Sequence, residues 1–97
     1  MGVVRLAHLA DTDLDGIRDY IYQHNPRAAN EVLDRIFETL ELLADNPEMG
    51  ERRDDLGHNT RAFVVRPYVI FYEPSADGIH VARIVHGARD FPALFRY

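Results

Sequence analysis

The stretch NPRAANEVLDRIFETLELLADNP, residues 25–47, constrains the fold more than any other part of the chain. Ala29, Leu33, Ile36, Leu40 and Leu43 recur at spacings of 4, 3, 4 and 3, the period of one helical face. Val32 and Phe37 widen that stripe, and Glu31 and Arg35 are spaced to pair at i, i+4 on the solvent side. Asn25 is a natural N-cap, and Pro26 suits the first helical position because its missing N–H would be unsatisfied there anyway. Pro47 stops the helix near Asn46. Such a helix is apolar along one side and cannot bury that side alone, so a second element must cover it.

The preceding segment supplies that element. ADTDLDGIRDYIYQHN predicts a helix capped at Asp11 or Thr12, with Leu14, Ile17 and Ile21 on one stripe and Tyr20 and His24 beside it. Gly16 inside it costs about 1 kcal/mol relative to alanine, unless it admits a close neighbour. One or two residues separate the helices, which predicts an antiparallel hairpin. Val3–Leu9 reads as a short first strand. Pro47–Thr60 reads as a polar loop. RAFVV and YVIFY flank a turn at Arg66-Pro67; EPSADG (Glu73–Gly78) makes the next turn; IHVARIVH is the last strand. YVIFY lacks polar alternation and should be a central strand. The expected fold is α+β, one domain over residues 1–97. A helical hairpin packs on a mostly antiparallel four-stranded sheet in the order β-α-α-β-β-β.

Charge narrows the function. The net charge is −5, all eleven basic residues are arginine, and there is no lysine. Residues 1–60 hold six arginines against thirteen acids; residues 61–97 hold five against three. An acidic body repels nucleic acid, so non-specific gripping of phosphates is not expected, and any anionic contact falls to arginines of the last third. No direct sequence-specific nucleic-acid binding is expected either. The chain has no cysteine, no basic-then-apolar leader and no apolar run near 18 residues. The expectation is a cytoplasmic protein without a membrane span.

Several chemistries lack their residues. There is no glycine-rich phosphate loop and no zinc-ligand spacing. His8, His24, His58, His80 and His86 are scattered, and Ser75 lies in a turn, a poor place for a nucleophile. No metal or other cofactor is expected. Asp13, Asp15, Asp19, Asp34, Glu38 and Glu41 read as a solvated helical face. Arg61, Arg66, Arg83, Arg89 and Arg96 remain, able to clamp an anion but poor as bases. His86 has a suitable intrinsic pKa for proton transfer. In HGARDFPALF, two readings stand side by side. One is a C-terminal lock in which Gly87 turns, Arg89 and Asp90 pair, and Phe91, Leu94 and Phe95 pack back. The other is a functional surface.

The element order, the helix end LLADNPEMG, the strand pair around RPYVIFY and the terminal RIVHGARDFPALF together resemble the RelE/ParE superfamily of bacterial toxins over nearly the whole chain. The resemblance implies a type II toxin–antitoxin pair, with an antitoxin whose C-terminal segment wraps this domain. RelE-like members cleave messenger RNA on the ribosome with lysines, a mid-sheet arginine and a late tyrosine or histidine. Against that pattern this chain has Val69 at the mid-sheet position and Phe95 at the late one, no lysine, and Arg89 as its match. It is similar instead to ParE-like members, which inhibit DNA gyrase and are neutralised by a ParD-like antitoxin. The resemblance then implies no catalytic residue and a target-binding surface of Arg83, His86, Arg89, Phe91 and Phe95. Two alternatives are an mRNA interferase using Arg89 and His86, and a non-toxic complex partner or co-repressor.

Overall fold

A computed structural model describes residues 1–87. Seven elements follow one another: β1 (Val3–Leu6), α1 (His8–His24), α2 (Pro26–Asp45), β2 (Glu51–Arg52), β3 (Arg61–Val65), β4 (Tyr68–Ser75) and β5 (Gly78–His86). The strands form one sheet in the order β1-β5-β4-β3-β2. β1 runs parallel to β5, and the remaining pairs are antiparallel. The expected architecture is present with one more strand than expected. The polar loop after α2 contributes β2, whose two residues pair with Arg61 and Ala62. A two-residue edge strand has too short a pattern to read as period 2.

α2 forms as its spacing requires. Asn25 Oδ1 accepts from Ala28 N at 3.2 Å, Pro26 takes the first helical position, and Asn46 caps the far end. Ile36, Leu40 and Leu43 are fully buried, each contributing about 1.5–3 kcal/mol by leaving water. Phe37 does not join them; it is 47% exposed. The expected Glu31–Arg35 pair is not among the ion pairs of the described residues.

α1 starts earlier than its polar residues suggest. Ala7 donates to Val81 O at 2.9 Å, the last rung beside β1, and its own carbonyl accepts from Asp11 N. The helix therefore begins at His8 with no side-chain cap, and Asp11 falls in its first turn. The reason lies in packing. Ala10, Leu14 and Ile17 share one buried stripe, and Ala10 at 0% exposure can join it only if the helix already runs there.

β4 is central and buried on both faces, which is why YVIFY lacks alternation. Tyr68, Ile70 and Tyr72 point into the core under the helices. Val69 and Phe71 join Leu56, Val85 and Ala62 in a second cluster. A register shift between Phe71 and Tyr72 leaves Ala82 unmatched, so Val81 and Ile84, three residues apart, both join the helix-side core. The hairpin turn is tighter than EPSADG implied, with β4 running on through Ser75. Gly78 then lies against Val3 so closely that a Cβ there would overlap the Val3 carbonyl oxygen.

The NPEMG segment is fastened to the sheet. Tyr72 Oη donates to Pro47 O at 2.8 Å and accepts from Gly50 N at 2.9 Å. Arg61 Nη1 donates to the carbonyls of Glu48 and Gly50 at 3.1 and 2.7 Å. A Cβ on Gly50 would stand 2.5 Å from Tyr72 Oη, so glycine permits the approach. Burial holds the Tyr72 phenol above its ordinary pKa, keeping it neutral as both donor and acceptor.

Candidate functional site

Beyond Val81, β1 has ended and α1 lies alongside the second half of β5. There the helix and the strand are tied by one side chain. Arg83 donates from Nε and Nη2 to the two carboxylate oxygens of Asp13 at 2.8 and 2.9 Å, and Ile84 N donates to Asp13 Oδ2 at 3.0 Å. Both side chains are about 15% exposed. Asp13 therefore belongs to the tie and not to the solvated helical face expected for it. The other acids of that set, Asp15, Asp19, Asp34, Glu38 and Glu41, are exposed. The helical flank that carries Asp13 also carries Thr12, Gly16 and Tyr20, at spacings that bring them to one side.

The flank, the β3–β4 turn and the end of β5 enclose a groove of about 460 Å³ lined by Thr12, Gly16, Ile17, Tyr20, Pro67, Tyr68, Ile84 and His86 among others. The peptide bond between Arg66 and Pro67 at its mouth is cis. His86 sits opposite Tyr68 in the β4–β5 ladder, and their rings meet edge to face with centroids 6.0 Å apart. Burial raises the Tyr68 phenol above its ordinary pKa, so it stays protonated and can donate. On the opposite wall Tyr20 is 63% exposed and packs its ring against His24 at 4.6 Å. No described element comes within 4 Å of where a Gly16 Cβ would stand. The glycine opens the groove rather than seating a neighbouring element of the fold. An apolar floor with phenol and imidazole groups at the rim suits docking of a polypeptide surface.

The residues singled out from the sequence divide clearly. His86 is exposed and lies at this groove. Arg83 is engaged with Asp13 at its base, and Arg61 is engaged with the NPEMG carbonyls. Arg66 is exposed at the turn beside Pro67. Arg89, Asp90, Phe91, Leu94, Phe95 and Arg96 lie outside the described residues. Val69, 7% exposed, packs in the second cluster and faces Val64 and Val85 across the sheet. All five histidines are exposed, and among the described residues no group of three metal-ligating side chains converges. No described helix is long and apolar enough to cross a membrane. The groove's helical wall could have been found in the sequence, since Thr12, Gly16 and Tyr20 recur every four residues. Its facing wall could not, because only the fold brings Pro67 and His86 to it.

Comparison with known proteins places the whole arrangement in one lineage. The family described as the ParE toxin of the type II toxin–antitoxin system parDE matches residues 4–91. Toxin RelE2 of Caulobacter vibrioides is 40% identical over 77 residues, spanning 79% of this chain and 85% of that protein. Toxin ParE3 of the same organism is 29% identical over 94 residues, 96% of this chain and 94% of that one. The solved structure of a chromosomal ParDE system from P. aeruginosa superposes with a TM-score of 0.73 at 21% identity, covering 89% of this chain and 96% of its counterpart. At that identity the likeness speaks for the fold.

Proposed function

The chain belongs to the ParE toxin family of type II toxin–antitoxin systems, and from that premise we propose that it inhibits DNA gyrase and is neutralised by a ParD-like antitoxin. It works by occupying a surface of its target, without cleaving RNA. The observation that carries this reading is Val69. An mRNA-cutting relative would need a cation at that mid-sheet position to stabilise the charge of the phosphoryl transition state. Here the position is filled by a buried aliphatic side chain between Val64 and Val85. The net charge of −5 points the same way, because docking on polyanionic RNA favours a basic protein.

The target-binding residues in this reading are His86, at the rim of the groove, with Arg89, Phe91 and Phe95. Arg83 serves them as a strut that fixes β5 against α1 through Asp13. Purified protein should inhibit gyrase supercoiling and leave messenger RNA intact on translating ribosomes, as read by primer extension. Tyr20→Ala and His86→Ala should weaken the supercoiling effect.

A second reading has a specific observation behind it, since a relative 40% identical bears the name RelE2. In that reading His86 moves the proton and Arg89 steadies the phosphoryl charge. Message cleavage abolished by His86→Ala, with gyrase unaffected, would establish it in place of the first. Silence in both assays, together with unimpaired growth on expression, would favour a non-toxic partner or co-repressor.

A further inference from the structure

The groove beside α1 has a chemical bias that its shape does not reveal. Tyr20 and Tyr68 stand on facing walls; His24 packs on the first ring and His86 meets the second edge to face. The faces of such rings carry negative potential. Burial, and then the Tyr20 phenol across the gap, raise the pKa of the Tyr68 phenol, which stays neutral and can accept as well as donate. Thr12 Oγ1 donates its proton to His8 O at 3.0 Å, so toward the groove it offers lone pairs only. Among the described residues that line the groove there is no Lys or Arg, and Asp13 at its base is matched by Arg83. Arg66 adjoins Pro67 at the mouth but does not line it. The wider field has one sign. Residues 8–45 hold nine carboxylates against three arginines, a net −6, so the rest of the chain sums to +1. Tyr20 and His24 also sit at the C-terminal end of α1, the negative pole of its dipole. The smaller recess on the opposite flank of α1, about 130 Å³ between the two helices, has Arg18 in its lining and no facing pair of rings.

We propose that the groove receives the guanidinium of an arginine side chain belonging to the protein that this chain inhibits. The cation lies against the rings of Tyr20 and Tyr68, its N–H groups reach Thr12 Oγ1 and the phenol oxygens, and its methylene stem runs over Gly16 and Ile17. Arginine suits the site better than lysine, because a planar guanidinium stacks on aromatic faces and is more weakly hydrated than an ammonium. Gly16 leaves room for the stem, since no described element comes within 4 Å of where its Cβ would stand. A volume of about 460 Å³ falls in the range of small-ligand pockets, about 300–1,000 Å³, and is ample for one long side chain. The acidic field disfavours a nucleic acid, and a carboxylate would meet no fixed cation in the described lining. The identity of the partner rests on the reading of the chain as an inhibitor that occupies a surface of its target.

The test uses the full chain and three blocked tripeptides with a central arginine, its uncharged isostere citrulline, or glutamate, each between glycines. Titration followed by two-dimensional NMR should show the arginine peptide shifting the Thr12, Tyr20 and Tyr68 signals. It should bind about tenfold more tightly than the citrulline peptide. Tyr20→Phe keeps the ring and should keep that margin, whereas Tyr20→Leu should erase it. Gly16→Leu fills the space for the stem and should abolish binding. Arg66→Gln removes a like charge from the mouth and should tighten the arginine peptide about twofold. Tyr22→Leu, equally exposed on another face of α1, should change nothing. Equal binding of the arginine and citrulline peptides, a preference for glutamate, shifts confined to other surfaces, no binding at about 50 mM peptide, or self-association of the chain lost in Gly16→Leu would each overturn the proposal. Supercoiling inhibition that survives intact in Tyr20→Leu would also overturn it and leave the functional reading standing. An arginine preference without any effect on gyrase would do the reverse, so the two can fail separately.

Discussion

Asp13 offers the sharpest test of how this small domain holds its helical layer to its sheet. It accepts three hydrogen bonds, two from the Arg83 guanidinium and one from Ile84 N. Bonds to charged groups contribute about 1.5–3 kcal/mol each, and desolvating two side chains that are only about 15% exposed takes much of that back. Asn at this position keeps one acceptor but turns an amide N–H₂ toward donors. We expect Asp13→Asn to cost about 2 kcal/mol and Asp13→Ala about 3 kcal/mol. For a domain of this size that lowers the melting temperature by roughly 10–20 °C. Urea unfolding of Asp13→Ala, Arg83→Met and the double variant gives the coupling directly, expected at about 1.5–2.5 kcal/mol. Hydrogen exchange adds a local readout, since the Ile84 amide should lose protection in Asp13→Ala while the β3–β4 ladder keeps its own. Additivity of the two single variants within about 0.5 kcal/mol, or an Ile84 amide that exchanges as before, would refute the assignment of Asp13 as the tie.

Three further expectations concern other parts of the chain. Tyr72→Phe removes the hydroxyl that joins Pro47 O and Gly50 N and leaves that buried N–H unpaired; denaturant unfolding should show a loss of about 2 kcal/mol. Gly16→Ala should raise stability by about 0.5–1 kcal/mol, because nothing described lies near the added methyl, while weakening whatever docks in the groove that the glycine opens. Asp77, hydrogen-bonded by Arg5, has its carboxyl pKa lowered to about 2 in the folded state. A depressed carboxyl stabilises the fold above its ordinary pKa and loses that contribution as pH falls through the folded value. Melting of wild type and Asp77→Asn should therefore differ at pH 5, with the gap shrinking as the pH falls toward 2; a gap undiminished at pH 2 contradicts the pairing.

Much of the fold could be read from residue spacing. The α2 stripe, its Asn25–Pro26 start and its end before Pro47 reappear in the structure within a residue. The β3–β4–β5 hairpins reappear as well, with β4 running on to Ser75, because turn residues and apolar runs act over short distances. Where the structure departs from the local pattern, the cause is tertiary packing. Asp11 and Thr12 looked like caps because their side chains favour that role, yet α1 begins at His8, where burial of Ala10 and the Ala7–Val81 rung outweigh capping. Phe37 matched the period of the stripe but sits at its margin, where the angle between the two helices decides what is covered. Asp13 reads as one of the solvated acids because no local pattern shows that Arg83, seventy positions later, lies across from it.

Taken alone, the order of residues determined most of the segments that become helix or strand, how the helices pair, the strongly acidic hairpin and the absence of lysine and cysteine. Those are properties of neighbours in the chain, set by periodicity, capping and composition. Tertiary structure decided which charges meet, which aromatic rings face water, and that two separate recesses flank α1. Each of these depends on groups brought together from distant positions. Their energies are a few kcal/mol apiece and are realised only once the hydrophobic core has placed α1 against β5 and α2.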